Sequence, residues 1–258
     1  MDAIFRVEGT RVTPSPYAAG PWDPTMQHGS APSSLVAWAA EAIPTPAPMR
    51  VARLTIDLMR PVPLTPLSIE TEVLREGRKI QLSEVRLRAG DTLVVQGTVL
   101  KIRCEPELAP PAEACAAPIA VPGPDQSEPN DQTSASSAFV SGMSIRAARG
   151  RFAKAGQNAI WYRVNRPLVE GAAVSPVMRA VAASDFCNAT GVVLDFRKWT
   201  FINADLTISL ARQPVGEWIL LDAETWVGPD GAGLATARLG DSAGYFGRAI
   251  QSLVVARR

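Results

Sequence analysis

The sequence alternates between apolar and polar residues in short stretches over most of its length. Leu54, Ile56 and Leu58, for example, are separated by the polar residues Thr55 and Asp57. Because successive side chains of a strand point to opposite faces, this pattern predicts strands, and glycine-containing turns join them as antiparallel hairpins. The strands predicted in the first half cover residues 4–12, 54–58, 69–74, 80–87 and 93–102.

One helix is predicted in each half of the chain. The apolar run 35–43 follows Ser33 and Ser34, either of which can cap a helix, and it ends before a proline. In the second half, Ser175 precedes a proline that suits the first helical position, and this helix is predicted to end at Cys187. The strands predicted in the second half cover residues 143–149, 160–165, 201–210, 218–227, 233–241 and 245–255.

The two halves share a sequence repeat. Residues 206–212 read LTISLAR and repeat residues 54–60, which read LTIDLMR, and the register continues to Leu239 over Leu87. About nine of about 34 aligned residues are identical, and a fixed internal period of this kind indicates a duplicated unit. One helix and several hairpin strands in each copy predict two similar α+β units.

The length of 258 residues accommodates two domains of about 110 residues each. Residues 105–138 are rich in Pro, Ala and Ser and contain no aromatic residue, which is typical of a linker. We therefore predict an N-terminal domain over residues 1–104, a linker over 105–138 and a C-terminal domain over 139–258.

Composition and charge argue against several classes of function. The formal net charge is +1 and the basic residues are scattered, so no nucleic-acid-binding surface is predicted. No apolar run reaches the roughly 18 residues that cross a bilayer, and the first residues lack the apolar segment of a signal peptide. We therefore expect a cytoplasmic protein without a membrane span. The three cysteines have no CxxC spacing, and no metal site or disulfide framework is predicted.

The strand predicted over residues 201–210 has a regular alternation. Along this strand, Ile202, Leu206 and Leu210 lie on one face and Asn203 lies on the other. In the first copy of the repeat, the position of Asn203 is occupied by Val51. The second copy therefore carries an amide where the first carries an apolar side chain.

Two further polar residues distinguish the second copy. Asp185 follows Val181 by four residues, on the side of the helix that should face the sheet, where burial and the helix dipole both disfavour a carboxylate. Gln251 lies on the last predicted strand, where the repeat register gives Leu100 in the first copy. The set of Asp185, Asn203 and Gln251 indicates one functional site, in the second copy.

Several motifs carry a resemblance to a known family. They are QHGSAPSSLVAWAAEA and RLTIDLMRPVPL in the first half, and VAASDF, FINADLTISLARQPVGEWILLDAETW and GRAIQSL in the second. With these motifs, the chain resembles the acyl-CoA thioesterase II family over residues 17–255, except in the linker. The resemblance implies a double hot-dog fold, in which each repeat wraps a curved antiparallel sheet around one long helix. It also implies an acyl-CoA substrate and no cofactor, and it is compatible with a homo-oligomer.

The resemblance also implies a catalytic set that lies in the second repeat. Its members correspond to Asp185 in the motif ASD, Asn203 two residues before an aspartate, and Gln251 in AIQS. Better-described members of the family have Thr at the position of Asn203. Thioester hydrolysis needs a base that activates water and donors that stabilise the oxyanion. A partly buried Asp185 would have a raised pKa and would act as the base on a water held by Asn203 and Gln251.

Two other interpretations stay open. Hot-dog enoyl-CoA hydratases pair an Asp and a His at a spacing similar to that of Asp23 and His28, although another acid follows their His closely and Gly29 and Ser30 follow here. Otherwise, His28 is a residue of a loop or a helix entry. The second alternative is a non-catalytic protein that binds acyl-CoA or lipid, in which the three polar residues serve only the fold.

Overall fold

A computed structural model describes residues 2–105, 107–108, 110–116, 118–130 and 137–258 of the chain. The helices are α1 (Ser30–Ala42), α2 (Pro176–Ser184) and α3 (Cys187–Thr190). The strands are β1 (Phe5–Glu8), β2 (Arg11–Pro14), β3 (Met49–Asp57), β4 (Leu67–Glu76), β5 (Ile80–Ala89), β6 (Thr92–Arg103), β7 (Glu128–Pro129), β8 (Met143–Arg149), β9 (Asn158–Val164), β10 (Trp199–Asn203), β11 (Asp205–Leu210), β12 (Trp218–Val227), β13 (Ala232–Asp241) and β14 (Gly244–Arg257). Within the described ranges, no helix is long and apolar enough to cross a membrane.

The strands form one antiparallel sheet whose two halves follow the same order. The sequence across the sheet is β1-β2-β4-β5-β6-β3-β11-β14-β13-β12-β9-β8-β7, and β10 pairs with β14. The halves join between β3 and β11, where the two copies of the repeat pair with each other. Thr55 lies opposite Thr207 in this pairing, and their hydroxyl oxygens are 3.4 Å apart. The two repeats are therefore related by a local twofold axis that passes between these threonines.

The helices lie against the sheet and against each other. Helix α1 contacts β3, β5 and β6, whereas α2 contacts β9, β11, β12 and β13. The hydroxyl of Ser30, at the start of α1, donates to the carbonyl of Ala182 near the end of α2. At the other end, Ser175 Oγ lies 2.6 Å from Glu41 Oε2, so the two helices run antiparallel. The expected hot-dog arrangement, with a helix held in a curved antiparallel sheet in each repeat, is confirmed.

The helix boundaries differ from the prediction in two places. Helix α1 begins at Ser30 after Gly29, so Ser33 and Ser34 are not its caps. Ser34 lies one turn inside the helix, and its hydroxyl donates to the carbonyl of Ser30 at 2.7 Å. The second predicted helix is divided, because α2 ends at Ser184 and α3 follows. Asp185 occupies the junction between these two helices.

A β-bulge at Ala204 interrupts the alternation that the sequence predicted. Asn203 lies opposite Leu253 of β14, whereas Thr207 lies opposite Ile250. The segment from Asn203 to Thr207 therefore contains one residue more than the segment of β14 that it faces. As a result, Asn203 lies on the same inward face as Leu206, and the predicted uninterrupted strand is wrong. Consistent with this change of face, Ile202 is 40% exposed and Leu206 is fully buried.

The first repeat has the same irregularity. Val51 lies opposite Lys101 and Arg53 lies opposite Leu100, so Ala52 is the extra residue of β3. The strand pairing also corrects the predicted counterpart of Gln251 in the first repeat. Gln251 pairs with Ala235, and the residues 152 positions earlier, Val99 and Ser83, pair with each other in the same way. Val99, rather than Leu100, is therefore the counterpart of Gln251, and it is also apolar.

Part of the predicted linker packs against the second half. Ile119 and Val121 pack against the small apolar cluster that contains Trp161, and the indole nitrogen of Trp161 donates to the carbonyl of Pro122 at 2.9 Å. Positions 106, 109, 117 and 131–136 of the predicted linker lie outside the described residues. The domain boundaries at 104 and 138 stay predictions.

The bulge makes a testable prediction about stability. Leu206→Ala should lower the free energy of unfolding by about 2–5 kcal/mol, because it leaves a cavity in the core. Ile202→Ala, in the same strand region, should cost much less because its side chain is already partly in solvent. Urea denaturation measures both values. Similar losses for the two variants would mean that both residues share the buried face and would contradict the bulge.

Candidate active site

The candidate site is centred on Asp185, at the C-terminal end of α2. Its φ and ψ of −66° and −13° are still helical, so the side chain continues the face of α2 that packs on the sheet. The residue is only 5% exposed. A carboxylate in such a position is strongly destabilised unless hydrogen-bond donors surround it.

Two amides from the sheet approach one oxygen of this carboxylate. Asn203 Nδ2 donates to Asp185 Oδ1 at 3.0 Å, and Gln251 Nε2 approaches the same oxygen at 3.3 Å. Gln251 is fully buried, and its own oxygen accepts the backbone N–H of Asn188 at 3.2 Å. The structure thus brings together the three residues that the sequence singled out.

The second oxygen of the carboxylate faces the N-terminal half of the chain. His28 Nδ1 lies 3.0 Å from Asp185 Oδ2, and Ser30 Oγ lies 3.2 Å from the same atom. The single hydroxyl hydrogen of Ser30 can serve either this oxygen or the carbonyl of Ala182. Residues of both repeats therefore surround the carboxylate, whereas the three residues singled out from the sequence all lie in the second repeat.

The imidazole of His28 is held between two aromatic rings. Its ring centre is 4.9 Å from that of Phe139 on one side and 4.9 Å from that of Phe186 on the other. An ionised carboxylate only accepts hydrogen bonds, so the contact with Asp185 requires a proton on Nδ1. In that state Nδ1 cannot also accept the backbone N–H of Ser30, whose nitrogen lies 3.2 Å away. The His28 side chain as a whole is 11% exposed.

Gly29 permits this close approach between the halves. A Cβ atom at this position would lie 2.8 Å from both carboxylate oxygens of Asp185. Contacts this short do not occur for real side chains, so any larger residue would displace the carboxylate.

Burial and hydrogen bonding have opposite effects on Asp185. Burial raises the pKa of the carboxyl, because the charged form loses its hydration. The hydrogen bond and charge of His28, together with the hydrogen bonds from Asn203 and Ser30, outweigh burial and hold the pKa below its usual value. The raised pKa that we expected from the sequence is therefore wrong, and Asp185 is ionised at neutral pH. This lowered pKa stabilises the fold above about pH 3.9, and the contribution is lost as pH falls through the folded pKa.

Sequence reasoning missed the contribution of His28, Gly29 and Ser30 to this site. The available signal was the polar segment QHGS in front of an apolar helix, which contains the single histidine of the chain. A repeat comparison could not identify these residues, because they act across the two copies rather than within one. Only the antiparallel packing of α1 on α2 places them beside Asp185.

The pairing required by the hydratase interpretation is not seen. Asp23 Oδ1 accepts hydrogen bonds from the backbone and hydroxyl of Thr25 at the surface. His28 Nδ1 instead contacts Asp185.

A narrow apolar crevice, without room for a water molecule, lies next to the amides of the site. Asn188, whose N–H binds Gln251, forms part of its wall, and Thr225 adds a hydroxyl that is buried without a hydrogen-bond partner among the described residues. The remaining wall is formed by Val193, Leu194, Phe201, Val227 and Leu253.

A larger cavity of about 320 Å³ lies at the other end of the helix pair, away from Asp185. Its wall includes Glu41 and the buried Lys101, whose ammonium donates to the carbonyl of Ile43 at 2.6 Å. Burial raises the pKa of Glu41 and lowers that of Lys101. Val51, the counterpart of Asn203, lies in its wall, and the counterpart of Gln251 is Val99, so the first repeat lacks the amide pair of the Asp185 site. Among the described residues, no cluster of three or more His, Cys, Asp or Glu side chains could hold a metal ion.

Comparisons with known proteins agree with this architecture. Residues 18–102 match the profile of the acyl-CoA thioesterase N-terminal domain, and residues 113–255 match that of the acyl-CoA thioesterase C-terminal domain. No curated protein matches the sequence significantly.

Solved structures with the same fold cover nearly the whole chain. A protein of Thermobifida fusca YX, provisionally assigned as thioesterase II, has a TM-score of 0.76 at 20% identity, over 98% of this chain and 94% of its own. A provisionally assigned thioesterase of Novosphingobium aromaticivorans DSM 12444 has a TM-score of 0.76 at 21% identity, over 98% and 99%. The acyl-CoA thioesterase II TesB2 of Mycobacterium marinum has a TM-score of 0.65 at 18% identity, over 89% and 88%.

The fit of Gly29 against Asp185 can be tested with a double-mutant cycle. Gly29→Ala should lower the free energy of unfolding by about 1–3 kcal/mol, because the added methyl group overlaps the carboxylate. In an Asp185→Ala background the same substitution should cost little, since the overlapping atoms are gone. Denaturant titration of the four proteins measures the coupling. Equal costs in both backgrounds would show that Gly29 is not pressed against Asp185.

Proposed function

The chain belongs to the acyl-CoA thioesterase family, and on that premise we propose that it hydrolyses acyl-CoA thioesters to the free acid and CoA at the Asp185 site. The observation that carries this proposal is the buried, ionised carboxylate of Asp185, surrounded by His28 and Ser30 from one repeat and by Asn203 and Gln251 from the other. A protein that only needed stability would gain little from a buried charge in this position.

In the proposed reaction, Asp185 acts as the base. Water attacks the carbonyl carbon and Asp185 takes a proton from the water. The C–S bond then breaks, and Asp185 returns this proton to the departing thiolate of CoA, which regenerates the carboxylate. The Gln251 contact is the longest of the four at the carboxylate, so we place the attacking water beside Oδ1, where it can replace that contact. Asn203 then holds the carboxylate in position while Gln251 orients the water.

The start of α1 supplies candidate donors for the oxyanion. Helix N-termini carry backbone N–H groups that have no partner within the helix. No described residue accepts the N–H of Gly29, and this residue packs directly against the carboxylate of Asp185. We propose that this N–H polarises the thioester carbonyl and stabilises the negative charge that develops on its oxygen.

Replacing the base tests the proposal directly. Asp185→Asn should lower kcat by about 10²–10⁴-fold, because the amide cannot accept the proton of the water. Asp57→Asn, which changes an exposed aspartate of the central strands, is the matched control and should leave kcat unchanged. Hydrolysis of a series of acyl-CoA thioesters, followed with a thiol-reactive dye, measures the rates. Unchanged hydrolysis by Asp185→Asn would refute the mechanism, and binding of acyl-CoA without turnover by the wild type would favour the non-catalytic alternative.

The pH profile should show how His28 supports Asp185. In the wild type, kcat/KM should fall only below the ordinary aspartate pKa of about 3.9, because activity requires the carboxylate and its folded pKa is lowered. His28→Phe keeps an aromatic ring between Phe139 and Phe186 but removes the donor. Burial is then less opposed, so the acid limb should move to higher pH by about 1–3 units.

Ser30→Ala is the comparison for that experiment, because it removes a weaker contact to the same oxygen and should shift the limb less. Loss of activity at every pH in His28→Phe, with no displacement of the limb, would contradict a purely supporting role for His28. Thermal denaturation of each variant separates these effects from loss of folding.

A further inference from the structure

The cavity at the far end of the helix pair repeats the plan of the Asp185 site with different side chains. At the Asp185 end, the hydroxyl of Ser30, at the start of α1, contacts the carboxylate. At the far end, the hydroxyl of Ser175, just before α2, lies 2.6 Å from a carboxylate oxygen of Glu41 near the end of α1. Each end therefore joins a serine of one helix to a carboxylate of the other.

The sheet residues that face the two ends differ in charge. Asn203 lies opposite Leu253 in the second repeat, and their counterparts 152 positions earlier, Val51 and Lys101, lie opposite each other in the first. The polar member of this pair is an amide on one strand in the second repeat and an ammonium on the other strand in the first. The far end thus contains a cation where the Asp185 site has an apolar leucine.

Lys101 carries a buried positive charge with little compensation. The residue is 4% exposed, and its ammonium donates to the carbonyl of Ile43 at the end of α1. This bond caps the helix, but it uses only one of the three N–H groups of the ammonium. Among the described residues Lys101 forms no salt bridge, and the charge of Glu41 offsets only part of the effect of burial, which lowers the pKa of Lys101. A buried charge in this state is strongly destabilised unless an anion neutralises it.

The cavity beside Lys101 has room for a ligand. Its volume of about 320 Å³ is at the lower end of the range for small-molecule pockets, about 300–1,000 Å³. Arg50 adds a second positive charge to the wall, and the side-chain amide of Gln213, which has no hydrogen bond to a described residue, adds a further polar group. The cavity therefore offers several unused donors around one buried cation.

The wall favours a singly charged ligand with an apolar body. Lys101 and Arg50 contribute two positive charges and Glu41 contributes one negative charge, which leaves a net charge of +1. Both terminal nitrogens of the Arg50 guanidinium already donate to backbone carbonyls of the second repeat, so its fork is not free to bind a phosphate through two bonds. A phosphate dianion would also face the carboxylate of Glu41. Apolar side chains form other parts of the wall, namely Ile43, Met49 and Val51.

We infer that this cavity, the Lys101 cavity, binds a small monocarboxylate with a short apolar body. The carboxylate oxygens accept the N–H groups of Lys101 that the helix cap leaves unused, and the hydrocarbon part lies against the apolar wall. Helix α1 contains 13 residues, so at about 1.5 Å per residue the cavity is separated from the Asp185 site by roughly 20 Å. This binding site is distinct from the proposed catalytic site, and the inference does not depend on hydrolysis.

Butanoate and its uncharged analogue butanamide test the inference. At pH 7 the wild type should bind butanoate at least about tenfold more tightly than butanamide, because only the carboxylate forms charged hydrogen bonds with the ammonium. Lys101→Met, which keeps an unbranched side chain and removes the charge, should weaken butanoate binding by at least about tenfold. Titrations followed through the amide signals in two-dimensional NMR spectra measure the affinities, and thermal denaturation without ligand shows whether each variant is folded.

Two further variants make the test specific. Glu41→Gln removes the negative charge of the wall and should tighten butanoate binding about two- to fivefold, as expected for one partly screened charge pair. Lys79→Met is the matched control, since it removes an exposed lysine of the same repeat and should leave the affinity unchanged. If Lys101→Met does not fold, the comparison of butanoate with butanamide and the effect of Glu41→Gln still decide the question.

Three results would overturn the site. They are a wild type that does not bind butanoate, butanamide that binds as tightly as butanoate, and butanoate binding that a folded Lys101→Met variant retains in full. The last result would place the ligand elsewhere, for example at the Asp185 end. Inorganic phosphate that binds more tightly than butanoate would overturn the assignment to a monocarboxylate. Loss of acyl-CoA hydrolysis in Asp185→Asn bears only on the proposed function and leaves this inference unaffected.

Discussion

The burial of one carboxylate between the two halves of the chain is the constraint on which the site depends. A charge withdrawn from water is destabilised by several kcal/mol unless surrounding groups replace its hydration. Asp185 receives those groups from both repeats: His28 and Ser30 on one oxygen, and Asn203 and Gln251 on the other. Because neither repeat alone supplies all four contacts of the carboxylate, the site forms only when α1 packs on α2.

The site also shows how a local irregularity in a sheet can create function. An uninterrupted strand through Ala204 would direct Asn203 away from the helix if Leu206 faced the core. One extra residue relative to β14 turns Asn203 inward, where its amide reaches Asp185. The first repeat contains the same bulge at Ala52, but it turns Val51 inward instead. The bulge is therefore common to both repeats, and the side chain before it, Asn203 or Val51, distinguishes the two copies.

Duplication has left the centre of the molecule nearly symmetric and the two ends of the helix pair different. At the centre, Thr55 faces Thr207 across paired strands of the same motif. At one end lies the Asp185 site, and at the other lies the cavity with Glu41 and Lys101. The central strands β3 and β11 each pair with a neighbouring strand on both edges, which fixes their register. Specialisation of one end therefore requires few changes in the shared core.

The sequence by itself determined the repeat, the antiparallel strands and the three polar residues of the second copy, and its resemblance to a family implied the hot-dog arrangement. Alternation is a property of neighbouring residues, and a repeat appears when two segments of the chain are compared directly. Only the tertiary structure decided that His28, Gly29 and Ser30 complete the site, that the bulge turns Asn203 inward, and that the pKa of Asp185 is lowered. Each of these depends on groups that are far apart in the chain. The sign of the pKa shift depends on the balance between burial and hydrogen bonding, and burial was the only part of that balance that the sequence indicated.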